Sequence, residues 1–414
     1  LFIPLSFLEK EAKHVEGFAK ECAVVTHHRL EEKDEPLVVR PTSETIIGDS
    51  FSRWIQSYRD LPLLLNQWAN VVRWEMRPRL FLRTAEFLWQ EGHTCHADEQ
   101  DARKEVDTAV EMYRTIIEER LAIPCIIGEK PDSERFPGAL TTLSLEAMMQ
   151  DGKALQAGTS HYLGQNFAKA QNIKFLDAEG KTQFAHTTSW GVSTRLIGGM
   201  IMTHGDDDGL RVPPRVAPHH VVVIPVIPKS EHEDSVIDYC KELVSSLKQL
   251  QYQGQPLRVT FDKRDIKGGE KSWQWVKKGI PLRVEVGPRD IADKKAVLFR
   301  RDKGPKDKEF VSVESLLEQT TTILDEIQQN YFSQAKQLQE NEFRAYFDKD
   351  STDALESSGF VLAPWCGDEE CVASLLEELK VTIRCIPSEQ ASEAGTCIFS
   401  GKPASCQALF ARAY

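Results

Sequence analysis

The segment from Leu64 to His93 combines two apolar stretches with charged residues of both signs. Charged side chains are rarely buried in strands unless they are paired or bind a ligand. The planar guanidinium of arginine matches a phosphate, and a carboxylate matches an ammonium group. The charges therefore suit a ligand with an anionic and a cationic end, although an internal ion pair explains any single one of them equally well. The six residues are Arg73, Glu75, Arg83, Glu86, Glu91 and His93.

A hairpin is the element that would position these side chains. Gln67 to Glu75 is rich in apolar and aromatic residues and predicts a strand. Met76 to Leu80 contains two arginines and a proline and predicts a loop, and Phe81 to Gln90 predicts the returning strand. The charges would then face each other across two paired strands.

Predicted helices flank this hairpin. The sequence R-P-T-S-E-T, which starts at Arg40, predicts a helix that continues to about Tyr58. Proline suits the first turn of a helix, and hydroxyl and acidic residues suit its N-terminus. Leu8 to Cys22 predicts another helix, and the apolar spacing of Ala97 to Leu121 predicts a core helix.

Two later segments place polar side chains among small residues. Q-A-G-T-S-H-Y-L-G-Q-N-F starts at Gln156, and its glycines allow a ligand to approach the backbone closely. Its adjacent serine and histidine do not indicate a hydrolase, because the G-x-S-x-G pattern is missing. H-T-T-S-W-G-V-S-T-R starts at His186 and predicts a strand followed by a helix. Purely structural roles explain these residues as well: Ser193 would cap the helix, and Arg195 would be an ordinary surface residue.

The charge distribution along the chain is uneven. The 414 residues, enough for two to four domains, have a formal net charge of −12. Arg258 to Glu309 nevertheless contains 16 Lys and Arg against 9 Asp and Glu, a net charge of +7, whereas residues 310–414 contain 7 against 17, a net charge of −10. The basic segment fits a local nucleic-acid surface, and by charge alone a solvated charged face explains it as well.

Cysteine usage and hydropathy indicate an intracellular protein. The nine cysteines are scattered, and five of them lie from Cys366 onward, which does not resemble the disulfide framework of a small secreted protein. No apolar run approaches the ~18–20 residues that a membrane span needs. We therefore expect a cytoplasmic protein with a metal or redox cluster near its C-terminal end.

Several segments resemble one family of enzymes. R-W-E followed by R-T-A-E-F-L-W-Q-E-G-H resembles motif 2 of the class II aminoacyl-tRNA synthetases. The residues of this segment most resemble those of the prolyl-tRNA synthetases of the eukaryotic and archaeal type. R-P-T-S-E, T-S-H-Y-L-G-Q-N-F and the segment around Arg195 resemble the amino-acid-binding segment, the ATP- and proline-site segment and motif 3 of this family. G-I-P-L-R-V-E-V-G-P-R-D is similar to its anticodon-binding domain, and P-W-C-G-D-E-E-C to its C-terminal domain.

The resemblance implies three domains. The expected fold is an α+β catalytic domain (1–213) with the antiparallel class II sheet, an α/β anticodon-binding domain (214–312) and a small C-terminal α+β domain (313–414) of the zinc-binding kind. Pro4 matches the end of motif 1, and the helix that should precede it is missing from the sequence. Only 92 residues separate His93 from His186, so we expect no editing domain there.

The resemblance also implies the reaction and its residues. Proline and ATP would form prolyl-adenylate, with Arg73 and Arg195 as the catalytic residues, Mg²⁺ bound with ATP beside Gln156, and tRNA(Pro) as acceptor. The implied ATP-binding residues are Arg73, Glu75, Arg83, Thr84, Phe87, Gln156, Thr159, Ser193 and Arg195. The implied proline-binding residues are Thr42, Glu44, Arg73, Phe87, Trp89, Glu91, His93 and His161.

Partners and metals follow from the same resemblance. We expect a homodimer and anticodon contacts from Arg264, Asp265, Lys271, Glu285 and Arg289. Zinc would be bound by four cysteines, but Ser400 stands where a thiolate is expected, and a hydroxyl is a poor zinc ligand. The candidate ligands in this sequence are Cys366, Cys371, Cys385 and Cys397.

Two other interpretations remain open. A threonyl-specific enzyme would need an active-site zinc, and Cys95 and His96 are adjacent without the further partners that such a site requires. A non-catalytic paralogue that binds tRNA would be marked by loss of a motif arginine, yet Arg73, Arg83 and Arg195 are all present.

Apolar contacts distinguish proline from alanine by only ~1–3 kcal/mol per methylene, so we expect imperfect selectivity for proline.

Overall fold

The computed structural model describes residues 1–8, 22–304, 307–345, 355, 359–390 and 395–414. The helix predicted for Leu8 to Cys22 lies almost entirely outside these residues. The described chain forms two compact units: residues 1–115, 125–199 and 339–414 make the first, and residues 116–124 and 200–338 make the second. Within the described ranges, no helix is both long and apolar enough to cross a membrane.

A ten-stranded sheet organises the first unit. Its neighbouring strands are antiparallel except for the outermost pair at one edge, which is parallel. This confirms the α+β class and the antiparallel sheet that the sequence predicted. In spatial order the strands are Phe343–Ala345, Phe360–Trp365, Cys406–Ala411, Thr382–Pro387, Cys125–Glu129, Thr141–Met148, Ala154–Gly164, His186–Ser193, Glu86–His96 and Leu63–Val72.

The predicted hairpin is present with a longer loop. Leu63–Val72 pairs with Glu86–His96 from Leu63 opposite Cys95 to Val72 opposite Glu86. The loop therefore spans residues 73–85, whereas the sequence predicted only Met76 to Leu80. The physical reason is composition, because this loop contains four arginines and a proline that cannot donate to a ladder.

Smaller elements complete the first unit. Phe2–Pro4, Glu31–Val39 and Val24–His28 form a three-stranded sheet, and Lys174–Leu176 pairs with Thr182–Phe184. The helix predicted to begin at Pro41 begins at Glu44 instead, after Ser43 at the N-cap position. The helices are Leu5–Leu8, Glu44–Trp54, Glu99–Arg114, Asn166–Ala170, Ala373–Leu379 and the first half of Arg195–His204. The rest of Arg195–His204 and nearly all of the π-helical turn Thr115–Arg120 belong to the second unit.

The second unit is an α/β layer, as the sequence predicted. Three parallel strands, Val259–Phe261, Val221–Pro225 and Leu282–Val286, continue into the antiparallel strands Lys295–Arg300 and Lys308–Ser312. The central strand Val221–Pro225 is buried along its whole length, as expected of a parallel strand covered on both faces. The helices are Glu233–Lys248, Gly268–Lys277, Pro288–Ala292 and most of Val313–Asn341.

The C-terminal segment extends the large sheet. Ile386 and Pro387 pair with Glu129 and Gly128, so the strands after residue 339 continue the sheet that contains the hairpin. The two compact units do not coincide with the three predicted domains. The domain boundaries 1–213, 214–312 and 313–414 therefore stay predictions.

Candidate active site

A cavity of about 310 Å³ lies over the large sheet. Cross-strand pairing places His93, Ser189 and His161 in one row across three strands, and Glu91, Gly191 and Thr159 in a second row. Because side chains alternate along a strand, members of both rows face the same side. The three strands thus bring together residues that are up to 100 positions apart in the sequence.

Carboxylates and a histidine form one wall of the cavity. Glu91 is 3 % exposed and accepts hydrogen bonds from Ser43 Oγ at 2.5 Å and from Gln67. His93 Nε2 lies 2.9 Å from the other oxygen of Glu91. Burial opposes the charge on His93, but the hydrogen bond to Glu91 and the negative charges of Glu91 and Glu44 outweigh it and raise the pKa of His93. This wall favours a cation.

Thr42, which the sequence placed with the proline-binding residues, is not among the residues that line the cavity. It is completely buried and donates to the carboxylate of Glu44. Its hydroxyl therefore orients a lining residue.

His161 occupies the same cavity in the neutral form. Its ring stacks on Phe136 with centroids 4.5 Å apart, and Nδ1 lies 2.9 Å from Thr142 Oγ1. Burial lowers the pKa of His161 to about 4. A neutral imidazole can exchange hydrogen bonds with a ligand without adding positive charge beside the carboxylates.

An aromatic wall carries the first arginine. Phe87 and Trp89 contact edge to face with centroids 5.7 Å apart, and the Arg73 guanidinium lies 5.6 Å from each ring centroid. Arg73 Nε also donates to the Pro41 carbonyl at 3.0 Å. These contacts hold the guanidinium at the junction of the first cavity and a second one.

The second cavity, of about 200 Å³, is lined by three arginines. Arg195 Nε donates to the Leu82 carbonyl at 3.0 Å, and the Arg195 backbone N–H donates to Ser193 Oγ at 3.2 Å. Burial, and then repulsion from Arg83 and Arg73, lower the pKa of Arg195 to about 10. Such a group of cations suits a polyphosphate.

The structure brings most of the predicted site residues together. The first cavity holds all the predicted ATP- and proline-binding residues except Thr42, Glu75, Arg83 and Thr84, and the last three line the second cavity. Both cavities share Arg73, Phe87, Ser193 and Arg195. Sequence reasoning missed other residues at the site, and only the E-R-F-P-G segment, with its aromatic residue in a polar loop, offered a signal. The missed residues include Ser43, Gln67, Glu134, Phe136, Thr142, Ser189 and Trp190.

Three of the four candidate zinc ligands form a group. The sulfur atoms of Cys366, Cys371 and Cys397 lie within 4.8 Å of one another, and Ser400 Oγ lies 3.4 Å from Cys366 Sγ. Cys385 was wrongly included, because in the described chain it packs in a different apolar cluster and has no place in this group. Three thiols and a hydroxyl do not make the four-thiolate site of a structural zinc, so zinc stays a prediction.

The candidate anticodon residues differ in exposure. Arg264 bonds both oxygens of Asp262, at 2.8 and 2.6 Å, while Asp265 and Arg289 are exposed. Lys271 is only 5 % exposed, because its ammonium donates into the fold at the Asp262 carbonyl, 3.4 Å away.

Glu285, the remaining candidate, accepts hydrogen bonds from Ser272 at 2.7 Å and Arg283 at 2.9 Å. It is therefore held within the second unit. The exposed candidates are Arg264, Asp265 and Arg289.

The fold and these two cavities define a class II aminoacyl-tRNA synthetase. Residues 25–204 match the tRNA synthetase class II core domain (G, H, P, S and T), and residues 220–323 match the anticodon binding domain. Residues 349–414 match the C-terminal domain of prolyl-tRNA synthetase. The class as a whole uses ATP and Mg²⁺.

The chain belongs to the prolyl-tRNA synthetase family. It is 58% identical over 435 residues to the proline--tRNA ligase of Protochlamydia amoebophila, an alignment that covers 100% of this chain and 86% of that relative. The proline--tRNA ligases of Bdellovibrio bacteriovorus and Paramagnetospirillum magneticum are 54% and 55% identical, again over 100% of this chain and 86% of each relative.

Proposed function

We propose that this chain activates L-proline with ATP and transfers it to tRNA(Pro). The observation that carries the proposal is the pair of adjoining cavities, one with carboxylates and one with three arginines, with Arg73 on both. Such a site matches a ligand with an ammonium group at one end and phosphates at the other. The names of the relatives supply the identity of the amino acid.

In the first step an oxygen of the proline carboxylate attacks the α-phosphorus of ATP. A new P–O bond forms, the bond from the α-phosphorus to the bridging oxygen breaks, and pyrophosphate leaves with the electron pair. No nucleophile from the enzyme is needed, so the residues act by alignment and by charge stabilisation. Arg73 contacts the carboxylate and the α-phosphate, while Arg83 and Arg195 bind the other phosphates.

The remaining residues hold the two substrates. Glu44, Glu91 and His93 surround the proline ammonium with His161 beside them, Thr42 orients Glu44 from behind, and Phe87 and Trp89 contact the proline ring. Gln156, which lines the first cavity, would help to hold Mg²⁺, and the bound ion would neutralise phosphate charge of ATP. The adenosine part is contacted by the residues Glu75, Thr84, Phe87, Thr159 and Ser193.

In the second step a hydroxyl of the terminal tRNA ribose attacks the carbonyl carbon of the adenylate. A C–O ester bond forms, and AMP leaves as the mixed anhydride breaks. Arg264, Asp265 and Arg289 are exposed in the anticodon-binding domain, and single-stranded loops present the base edges that such side chains contact. We propose that they contribute to tRNA recognition, with Lys271 and Glu285 as supports behind them.

We also propose an architectural type, an oligomeric state and a compartment for this protein. The short interval between His93 and His186 and the C-terminal domain favour the eukaryotic and archaeal architecture, although the relatives named above come from bacteria. An exposed apolar face at the edge of the large sheet favours a homodimer. The cytoplasm is the compartment in which a translation enzyme of this family would act.

Amino-acid-dependent exchange of pyrophosphate into ATP tests the proposal. Purified protein without tRNA should give the fastest exchange with proline among the twenty amino acids. Arg73→Ala should lower the rate by roughly 10²–10³-fold or more, because it removes charge stabilisation at the reacting phosphate. Arg77→Ala is the matched control, since Arg77 is an exposed arginine of the same loop that lines neither cavity. No exchange with any amino acid would leave a tRNA-binding paralogue without catalysis.

A further inference from the structure

A third cavity, of about 320 Å³, adjoins the arginine-lined pocket. It shares Arg83 and Arg195 with the second cavity and Gln156 with the first. Its other side is formed by the C-terminal segment, which places there the residues Lys380, Thr382, Arg384, Ala413 and Tyr414. The catalytic sheet and the C-terminal segment therefore line this cavity jointly.

The lining is predominantly cationic. Four of its side chains are Lys or Arg, and Glu134 is the one carboxylate side chain among the residues that line it. Arg83 donates to the main-chain oxygen of Tyr414 at 2.6 Å and lies 3.7 Å from Glu75. Arg83 is thus partly compensated, as is Arg384 by Glu146, and the positive charges of Arg195 and Lys380 remain directed at the cavity.

A buried charge cluster behind the lining adds to this potential. Glu146 is completely buried and contacts Lys130 Nζ at 2.9 Å and two nitrogens of Arg384 at 3.0 and 2.9 Å. Two cations share one carboxylate, so the cluster has a net charge of +1. Because an uncompensated buried charge is costly, an anion in the adjoining cavity would be stabilised there.

The backbone conformation of Lys380 supports the same conclusion. Lys380 caps the helix Ala373–Leu379 in the left-handed region, with φ of 57°. Glycine usually occupies this position, because a side chain adds strain there. An exposed lysine at a position that favours glycine, on the rim of a cationic cavity, indicates a contribution from the ammonium group.

We propose that this cavity is a second phosphate-binding site, completed by Lys380 and Arg384 of the C-terminal segment. Its ligand is a phosphate oxyanion, from the pyrophosphate that leaves the ATP pocket or from the phosphodiester backbone near the acceptor end of the tRNA. Arg83 and Arg195 line both cavities, so a phosphate can move from one to the other without losing contact with arginine. This inference rests on the proposed function.

The test uses substitutions at Lys380 in the full chain. Lys380→Gly removes the ammonium and suits the left-handed backbone, so the thermal midpoint should stay the same or rise. The KM for pyrophosphate in the exchange reaction should rise about three- to ten-fold, and by more than the KM for ATP. Lys380→Arg should restore most of the affinity. Lys402→Ala is the control, because Lys402 is exposed in the same segment and does not line the cavity.

Two readouts distinguish the sources of the phosphate. A raised KM for pyrophosphate identifies the leaving product, whereas a raised KM for tRNA in aminoacylation, with exchange unaltered, identifies the tRNA backbone. If Lys380→Gly changes neither constant, the inference is wrong. Calorimetric titration of wild type and Lys380→Gly with magnesium pyrophosphate, without ATP or proline, tests the site directly, so its failure can be separated from failure of the proposed reaction.

Discussion

Two histidines in one cavity have opposite pKa shifts. The carboxylates of Glu91 and Glu44 outweigh burial and raise the pKa of His93, whereas burial lowers the pKa of His161 to about 4. The difference follows from the neighbours, since His161 contacts a hydroxyl and an aromatic ring. Near neutral pH this separation keeps His161 uncharged beside a cation-binding wall, where a second positive charge would repel the ligand.

The His161 shift predicts a pH dependence of stability. Its pKa is lower in the folded than in the unfolded chain, so between about pH 6.5 and 4 the unfolded chain binds more protons and stability falls as the pH falls. His161→Gln lacks this contribution. We therefore expect the difference in thermal midpoint between wild type and His161→Gln to narrow as the pH falls from 7 to 4. Scanning calorimetry at several pH values measures it, and a constant or widening gap would contradict the predicted sign.

The edge strand of the large sheet presents an apolar face. Along Leu63–Val72 the exposed positions alternate, and Trp68 is 81 % exposed beside Leu64 and Leu88, which are 58 % and 61 % exposed. An exposed edge strand can pair with another chain through its backbone, and here Arg40 bonds the backbone of this strand at Asn70 and Val72, near its end. In a two-fold symmetric dimer, the same surface of both copies forms the interface. This edge strand is therefore our candidate for the homodimer interface.

Trp68→Glu should therefore weaken the proposed dimer. The substitution introduces a negative charge at the centre of the apolar face. In a two-fold symmetric dimer the two introduced carboxylates would face each other and repel. We expect sedimentation velocity to show a shift from dimer towards monomer at micromolar concentration. Trp273→Glu is the control, since Trp273 is an exposed tryptophan of the other compact unit. A wild-type monomer, or an unchanged Trp68→Glu dimer, would rule out this face as the interface.

At the scale of the whole molecule, a buried ion cluster ties the C-terminal segment to the catalytic sheet. Glu146 and Arg384 are 238 residues apart in the sequence, yet Arg384 makes two hydrogen bonds to Glu146. Burial opposes the charge on Glu146, but Lys130 and Arg384 outweigh it and lower the pKa of its carboxyl group. The cluster therefore stays ionised inside the fold and stabilises the continuous ten-stranded sheet.

The charge count of this cluster predicts an order of stabilities. Glu146→Gln leaves two buried cations without a counter-charge and should lower the free energy of unfolding by about 3–5 kcal/mol. Arg384→Met leaves the neutral pair of Lys130 and Glu146 and should have a smaller effect, on the order of 1 kcal/mol. Urea denaturation compares the two variants. Equal losses, or a larger loss for Arg384→Met, would show that net charge does not control the stability of the cluster.

The sequence by itself determined the family, the fold class and most of the residues that line the two cavities. Arg73, Glu91 and Arg195 were predicted because the segments that contain them resemble motifs of this family. The core helix predicted within Ala97 to Leu121 forms at Glu99–Arg114 and continues as a π-helical turn to Arg120. The exact start of the helix at Glu44 was missed, because hydroxyl and acidic residues suit several positions in a first turn.

Only the tertiary structure decided which distant residues meet. Phe136 stacks on His161, Cys385 packs away from the other cysteines, and Arg384 reaches Glu146. Such contacts depend on strand order and register across the ten-stranded sheet, which local periodicity does not specify. The burial of Lys271 could not be predicted from the sequence either, because a lysine in a basic segment can be exposed or can be held by a buried carbonyl. Local chemistry can be recognised from residue spacing, whereas long-range pairing depends on how the whole sheet packs.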